Sequence, residues 1–182
     1  MKTISDHILD ILQNSTRAGA TVVSLDIEIR DEADRLEINI SDNGPGIDIS
    51  IAGAVTDPFT TTRSSRRVGL GLPLLKQHVE LTGGSLDITP TVGGGTEVKA
   101  IFVTSSIDRQ PIGDLAGTVA LFITGNPNVN MIFSLQSCQG RFTISSDEIS
   151  GALDDDLANP AYYRPLREMM TENITPLLVG CD

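Results

Sequence analysis

"DILQNSTRAGAT", residues 10–21, is the stretch from which the rest of the chain takes its meaning. Asp10 and Asn14 stand four apart, so on a helix their side chains share one face, one turn from each other. Ile4, Ile8, Ile11 and Leu12 recur at helical spacing as an apolar stripe, with Thr3, His7, Asp10, Asn14 and Arg17 on the other side. Gly19 then supplies a natural stop. Taken alone, the Asp/Asn pair is what any solvated helix face carries.

After Gly19, Val23, Leu25, Ile27 and Ile29 alternate with Ser24, Asp26, Glu28 and Arg30, the period of a half-buried strand. "DEADR" turns the chain into a second alternating run, Leu36, Ile38 and Ile40, and the two runs predict a hairpin. After "SDNGPGID", residues 49–68 lack clear periodicity and are rich in Thr, Ser and Arg, which predicts a functional lid or a disordered segment. Leu74, Leu75, His78, Val79 and Leu81 predict a helix closed by Gly83-Gly84. "SLDITPTVGGGTEVKAIFV" predicts a second hairpin around a Gly-rich turn.

Antiparallel strands with helices collected on one face make the expected fold class α+β, a two-layer α/β sandwich over residues 1–105. From residue 106 the character changes. "SIDRQPIGDLAG" reads as a linker, and "TVALFIT", "NMIFSLQ" and "RFTISS" read as three short strands. The stretch from Ala152 reads as helix, started or broken at Pro160 and Pro165. Residues 106–182 are therefore expected to form a small C-terminal β-β-β-α extension, one that caps the sheet edge, completes the core or meets a partner.

The 182 residues carry 24 Asp and Glu against 13 Lys and Arg, a net charge of -11, which argues against binding nucleic acid or an anionic membrane. Met1 leads straight into a polar periodic segment, so no secretory leader is expected. No apolar run approaches the ~20 residues that span a bilayer, and a cytoplasmic location is expected. Cys138 and Cys181 are isolated and are expected to be ordinary thiols, outside any zinc site or disulfide framework.

Four elements carry chemistry. They are the Asp10/Asn14 pair, Asp42-x-Gly44-x-Gly46 at a strand end, Gly69-Leu70-Gly71-Leu72 opening a helix after a basic stretch, and Gly93-Gly94-Gly95-Thr96 entering a strand. Each has an ordinary account: a polar helix face, a turn, a helix start, a hairpin loop. Their order and spacing together resemble the ATP-binding domain shared by DNA gyrase B, the Hsp90 chaperones, sensor histidine kinases and MutL, the Bergerat fold. "LDILQNSTRAGAT" is similar to the MutL form of that family's first motif, "SDNGPGID" to the second, and "DPFTTTRSSRRVGLGLPLLKQHVELTGGSLDI" to the histidine-kinase form of the third. "GGGTEVKAIF" is similar to the last, so the resemblance covers roughly residues 5–103.

The resemblance implies ATP and Mg²⁺ as cofactors. It makes Asn14 the magnesium ligand, a plausible share for an ion that takes few protein oxygens beside water and phosphate. It makes Asp42 the acceptor of the adenine amino group, with Gly44 and Gly46 letting the backbone approach the base and Thr96 supporting that contact. Gly69, Leu70, Gly71 and Leu72 fall at the helix start that faces phosphate. Thr62 and Arg63 fall in the lid, with Arg63 at the basic position, and Arg66 and Arg67 add charge nearby. Asp10 stands where relatives carry a catalytic glutamate and is the catalytic candidate. Aspartate is one methylene shorter, which leaves general base, second magnesium contact or no role open.

No phosphoacceptor hairpin is expected ahead of the first motif, and His7 and His78 are expected to be surface or packing residues. The expected function is a stand-alone ATP/Mg-binding regulatory module of histidine-kinase type, a kinase or nucleotide-controlled switch acting on a protein partner. The alternatives are a dimerisation-gated ATPase of MutL type, which makes a homodimer, or a module that holds nucleotide without chemistry.

Overall fold

The computed structural model describes residues 1–46, 71–91, 94–152 and 157–179. In chain order the elements are α1 (Ile4–Arg17), β1 (Val22–Arg30), β2 (Arg35–Asp42), α2 (Gly71–Leu81), β3 (Ser85–Pro90) and β4 (Thr96–Val103). They continue with α3 (Leu115–Gly125), β5 (Asn130–Ser137), β6 (Gly140–Ser145), α4 (Ser146–Ala152) and α5 (Tyr163–Ile174). Short 3₁₀ turns lie at Asp31–Ala33, Pro160–Tyr162 and Thr175–Leu178.

The strands form one sheet in the order β3-β4-β2-β1-β5-β6. Register follows the alternation that the sequence shows. Leu25 faces Ile40 and Ile27 faces Ile38 across β1–β2, while Ile40 and Ile38 face Val98 and Ala100 across β2–β4. Directly opposed residues share a face, so this places Leu25, Ile27, Ile38, Ile40, Val98 and Ala100 on one side. β5 runs parallel to β1 and brings Phe133 level with Leu25 and Leu135 level with Ile27. A one-residue slip in any pair would turn that face to solvent, which is why the register is specified.

Among the described residues, α1, α2, α3 and α5 pack on this side. Ile4, Ile8, Ile11 and Leu12 of α1 are buried, as are Leu72, Leu75 and Val79 of α2. Leu115, Val119, Phe122 and Ile123 of α3 join the same core, with Leu166, Met170 and Ile174 of α5. The result is the expected α+β two-layer sandwich.

The chain beyond residue 106 differs from expectation in two elements, the helix α3 in place of a first strand and the additional short helix α4 at Ser146–Ala152. Residues 118–124, expected as a strand, lie inside α3. A short unbroken apolar run has no period that separates a buried strand from a buried helix. Asp114 decides the matter locally: its side chain accepts from the Gly117 N–H at 2.8 Å and caps the helix. The extension therefore runs α3-β5-β6-α4-α5, and its two strands lengthen the sheet that begins with β1–β4. Pro160 opens a 3₁₀ turn and Pro165 sits in the first turn of α5, where its missing N–H costs little. Cys138 is disulfide-bonded, which corrects its reading as an ordinary thiol; Cys181 lies outside the described residues.

The start of α1 is stitched to the linker. Ile4 N–H donates to the Pro111 carbonyl at 3.0 Å and Ser5 N–H to that of Ile112 at 2.9 Å, so the helix's free donors are satisfied. One turn on, His7 is 1 % exposed and its Nε2 lies 3.0 Å from His78 Nδ1 on α2 and 3.1 Å from Gln110 Oε1 on the linker. His7 is thus the packing residue that the sequence suggested, held between three segments.

Burial, and then the neighbouring His78, push the His7 pKa below its ordinary 6.5. The unfolded chain takes up a proton near pH 6.5 that the folded chain refuses until a lower pH. Stability is therefore complete above that value and is lost as pH falls below it. Urea midpoints at pH 7.5 and 5.5 should show this loss, and His7→Gln should flatten it; an equal loss in the variant would assign the slope to other groups.

Candidate functional site

α1 presents Asp10 and Asn14 side by side, with Asn14 Nδ2 donating to Asp10 Oδ2 at 3.3 Å. Arg17, one turn further, donates from Nη1 to Asn14 Oδ1 at 3.3 Å and from Nη2 to Gln13 Oε1 at 3.2 Å. Asp10 lies against the first residue of α2. A Cβ on Gly71 would fall 1.7 Å from Asp10 Oδ2, so only glycine lets the carboxylate reach that helix start. Leu72 follows, 8 % exposed, and anchors the turn in the core.

The second half of the site gathers at the end of β2. Asp42 Oδ2 accepts from Ser15 Oγ at 2.8 Å, and Asp42 Oδ1 accepts from the Gly44 N–H at 2.9 Å. Asn43 pins the loop to the start of β1, its Oδ1 accepting from the N–H groups of Thr21 and Val22, both at 2.9 Å. Ser41 pairs with Glu97, which brings Asp42 and Thr96 to the same end of adjacent strands, and Thr96 is 7 % exposed.

Glycines close this end. Gly46, at φ +79°, would place a Cβ 2.9 Å from the Gly95 carbonyl oxygen. Gly95, at φ +106°, would place one 1.9 Å from the Asp42 carbonyl oxygen. Side chains at either position would force the two loops apart, so the backbone of the Gly46 and Gly95 loops can pack this closely only as glycine.

The structure thus joins Asp10, Asn14, Gly71 and Leu72 on one side with Asp42, Gly44, Gly46 and Thr96 on the other. Thr62, Arg63, Gly69 and Leu70, with the whole 49–68 segment, lie outside the described residues. Two residues escaped the sequence reading. Ser15 connects the halves, and the signal for it was a hydroxyl on the apolar stripe of Ile4, Ile8, Ile11 and Leu12, where a buried polar group needs a partner. Arg17 places a cation beside Asn14, but on sequence it reads as an ordinary helix C-terminal base.

Chemically, an amide oxygen beside a carboxylate offers the hard oxygen donors that a divalent cation takes. A carboxylate whose two oxygens are already tethered offers its remaining lone pairs to an N–H donor. Among the described residues there is no group of three or more His, Cys, Asp or Glu that would hold a metal by itself.

The profile described as "Histidine kinase-, DNA gyrase B-, and HSP90-like ATPase" matches residues 2–106, more than half of the chain. The chain belongs to this ATPase family. Within the family it is similar to the C4-dicarboxylate transport sensor protein DctS of Rhodobacter capsulatus, 33 % identical over 97 residues, which cover 51 % of this chain and 15 % of DctS. It is also similar to the circadian input-output histidine kinase CikA of Synechococcus elongatus, 28 % identical over 175 residues, which cover 87 % of this chain and 23 % of CikA. The chain thus spans less than a quarter of either relative's length.

Among solved structures, the N-terminal domain of a DNA repair protein shares the fold at a TM-score of 0.55 and 17 % identity. That likeness covers 79 % of this chain and 52 % of the other, so the common architecture runs past the first 106 residues. In this ATPase-family chain, no helix of the described residues is long and apolar enough to cross a membrane.

Proposed function

We propose that the protein is a cytoplasmic ATP- and Mg²⁺-binding regulatory module of histidine-kinase type, a kinase or nucleotide-controlled switch acting on a protein partner. The observation that carries this reading is the convergence of Asn14, Asp10 and the Gly71 helix start with the tethered Asp42 carboxylate and its bare glycine backbone.

In this reading Asp42, with Thr96 beside it, receives the adenine amino group, while Gly44 and Gly46 leave room for the base. Asn14 Oδ1 is the protein's magnesium ligand, and Asp10, bonded to Asn14 Nδ2, orients that amide. Magnesium, when bound, neutralises phosphate charge and holds the phosphate chain in place. Arg17, which donates to Asn14 Oδ1, would add positive charge beside the phosphates. Thr62, Arg63, Gly69 and Leu70 complete the phosphate side, as the resemblance implies. The net charge of -11 favours a protein partner over nucleic acid.

A thermal melt tests the reading. At ATP·Mg²⁺ a hundredfold above its dissociation constant, a bound ligand stabilises by about 2.7 kcal/mol. For a domain of this size that corresponds to a rise in melting temperature on the order of 5–10 °C. Asn14→Ala should abolish most of the rise, and so should EDTA. Equal shifts in wild type and variant, with and without magnesium, would overturn the assignment.

A further inference from the structure

We propose that Ser15 is a positioning residue for base recognition, and that its hydroxyl is what makes the Asp42 end of the site select a purine carrying an exocyclic amine over one carrying an oxo group. The proposal deepens the nucleotide-binding reading and depends on it.

Ser15 is 5 % exposed and lies on the core-facing stripe of α1, where serine contributes little to helix propensity. A buried hydroxyl there needs a partner, and it has one 27 residues away in sequence: Oγ donates to Asp42 Oδ2 at 2.8 Å. The other carboxylate oxygen takes the Gly44 N–H at 2.9 Å. Two donors from two different segments, one on each oxygen, fix the plane of the carboxylate.

Proton bookkeeping gives the selectivity. Serine has a single hydroxyl proton, and Asp42 uses it. The Gly44 N–H is likewise spent. What this cluster then offers a ligand is lone pairs only: those left on Oδ1 and Oδ2 and those on Ser15 Oγ. An amine brings the hydrogens such a surface needs. A carbonyl brings more lone pairs and is repelled.

Without Ser15, Oδ2 loses the donor that holds it. The carboxylate is then free to turn about its Cβ–Cγ bond and to recruit a water, whose hydrogens serve a carbonyl as well as its oxygen serves an amine. Ser15 also follows Asn14 directly, so one turn of α1 carries both the metal-side amide and the base-side hydroxyl.

The test compares ATP, purine riboside triphosphate (which lacks the 6-amino group) and inosine triphosphate (6-oxo), by calorimetric titration of the full chain with Mg²⁺. In wild type, ATP should bind at least about tenfold tighter than either analogue, the scale of one hydrogen bond to a charged acceptor. Ser15→Ala should weaken ATP by about tenfold while leaving the 6-unsubstituted analogue within about twofold, so that the preference collapses. Ser15→Cys, which keeps the volume but weakens the donor, should do the same and covers the case in which alanine disturbs folding.

Equal weakening of all three nucleotides would show a packing role only and overturn the proposal, as would an unchanged affinity for ATP. If wild type itself binds the three nucleotides alike, or Asp42→Asn leaves ATP binding intact, the failure lies in the reading of Asp42 and the proposal falls with it.

Discussion

Asp42→Asn is expected to lower ATP affinity by about 10–100-fold, because a hydrogen bond to an ionised acceptor is worth roughly 1.5–3 kcal/mol. The fold should barely notice. An asparagine keeps one oxygen for the Gly44 N–H, and the Ser15 hydroxyl turns to accept from the new amide nitrogen. The ligand, by contrast, meets N–H groups where it brings its own. A calorimetric titration read beside a thermal melt separates the two effects. Wild-type affinity in the variant would remove Asp42 from the site.

Gly95→Ala is expected to damage both stability and binding. The new methyl would lie 1.9 Å from the Asp42 carbonyl oxygen and 2.7 Å from Thr91 Oγ1, at φ +106° where a side chain is already strained. Backbone must move, since a carbonyl in a paired strand has no rotamer to escape into. Left-handed strain together with the displaced loop should cost roughly 2–3 kcal/mol, or about 5–10 °C in melting temperature. The displaced atom belongs to Asp42, so ATP affinity should fall with it. Gly125→Ala is the control, because a Cβ there meets nothing within 4 Å. Equal melting temperatures in the two variants would refute this account.

The elements legible in the sequence are those whose causes are local. Alternation in 22–30, 35–42 and 96–103 fixes the inner face of three strands, and the 4-8-11-12 stripe fixes the inner face of α1. The glycines of "SDNGPGID" and "GGGT" mark loops that must pass close to something. What they approach turns out to be each other: Gly46 and Gly95 touch across the site, a tertiary fact no spacing records.

Other features were hidden for the same reason. Ser15 becomes meaningful only once Asp42 is folded against it, and Gln110 only once the linker returns to His7. α3 is not legible as a helix in the sequence because a helix buried along most of its length has no polar face to reveal its period. The disulfide at Cys138 left no mark in spacing at all.

The placement of β5 has a consequence for how the chain is made. β1 has one neighbour, β2, within a few residues of its own end, but its other edge waits for a strand that begins at Asn130. On a ribosome adding about 5–20 residues per second, that edge stays bare for roughly 5–20 s after β1 emerges. Val22–Glu28 is thus an open template just when other nascent chains are near. Asp26 and Glu28 put charge on that edge, the kind of residue that disfavours pairing with a wrong neighbour.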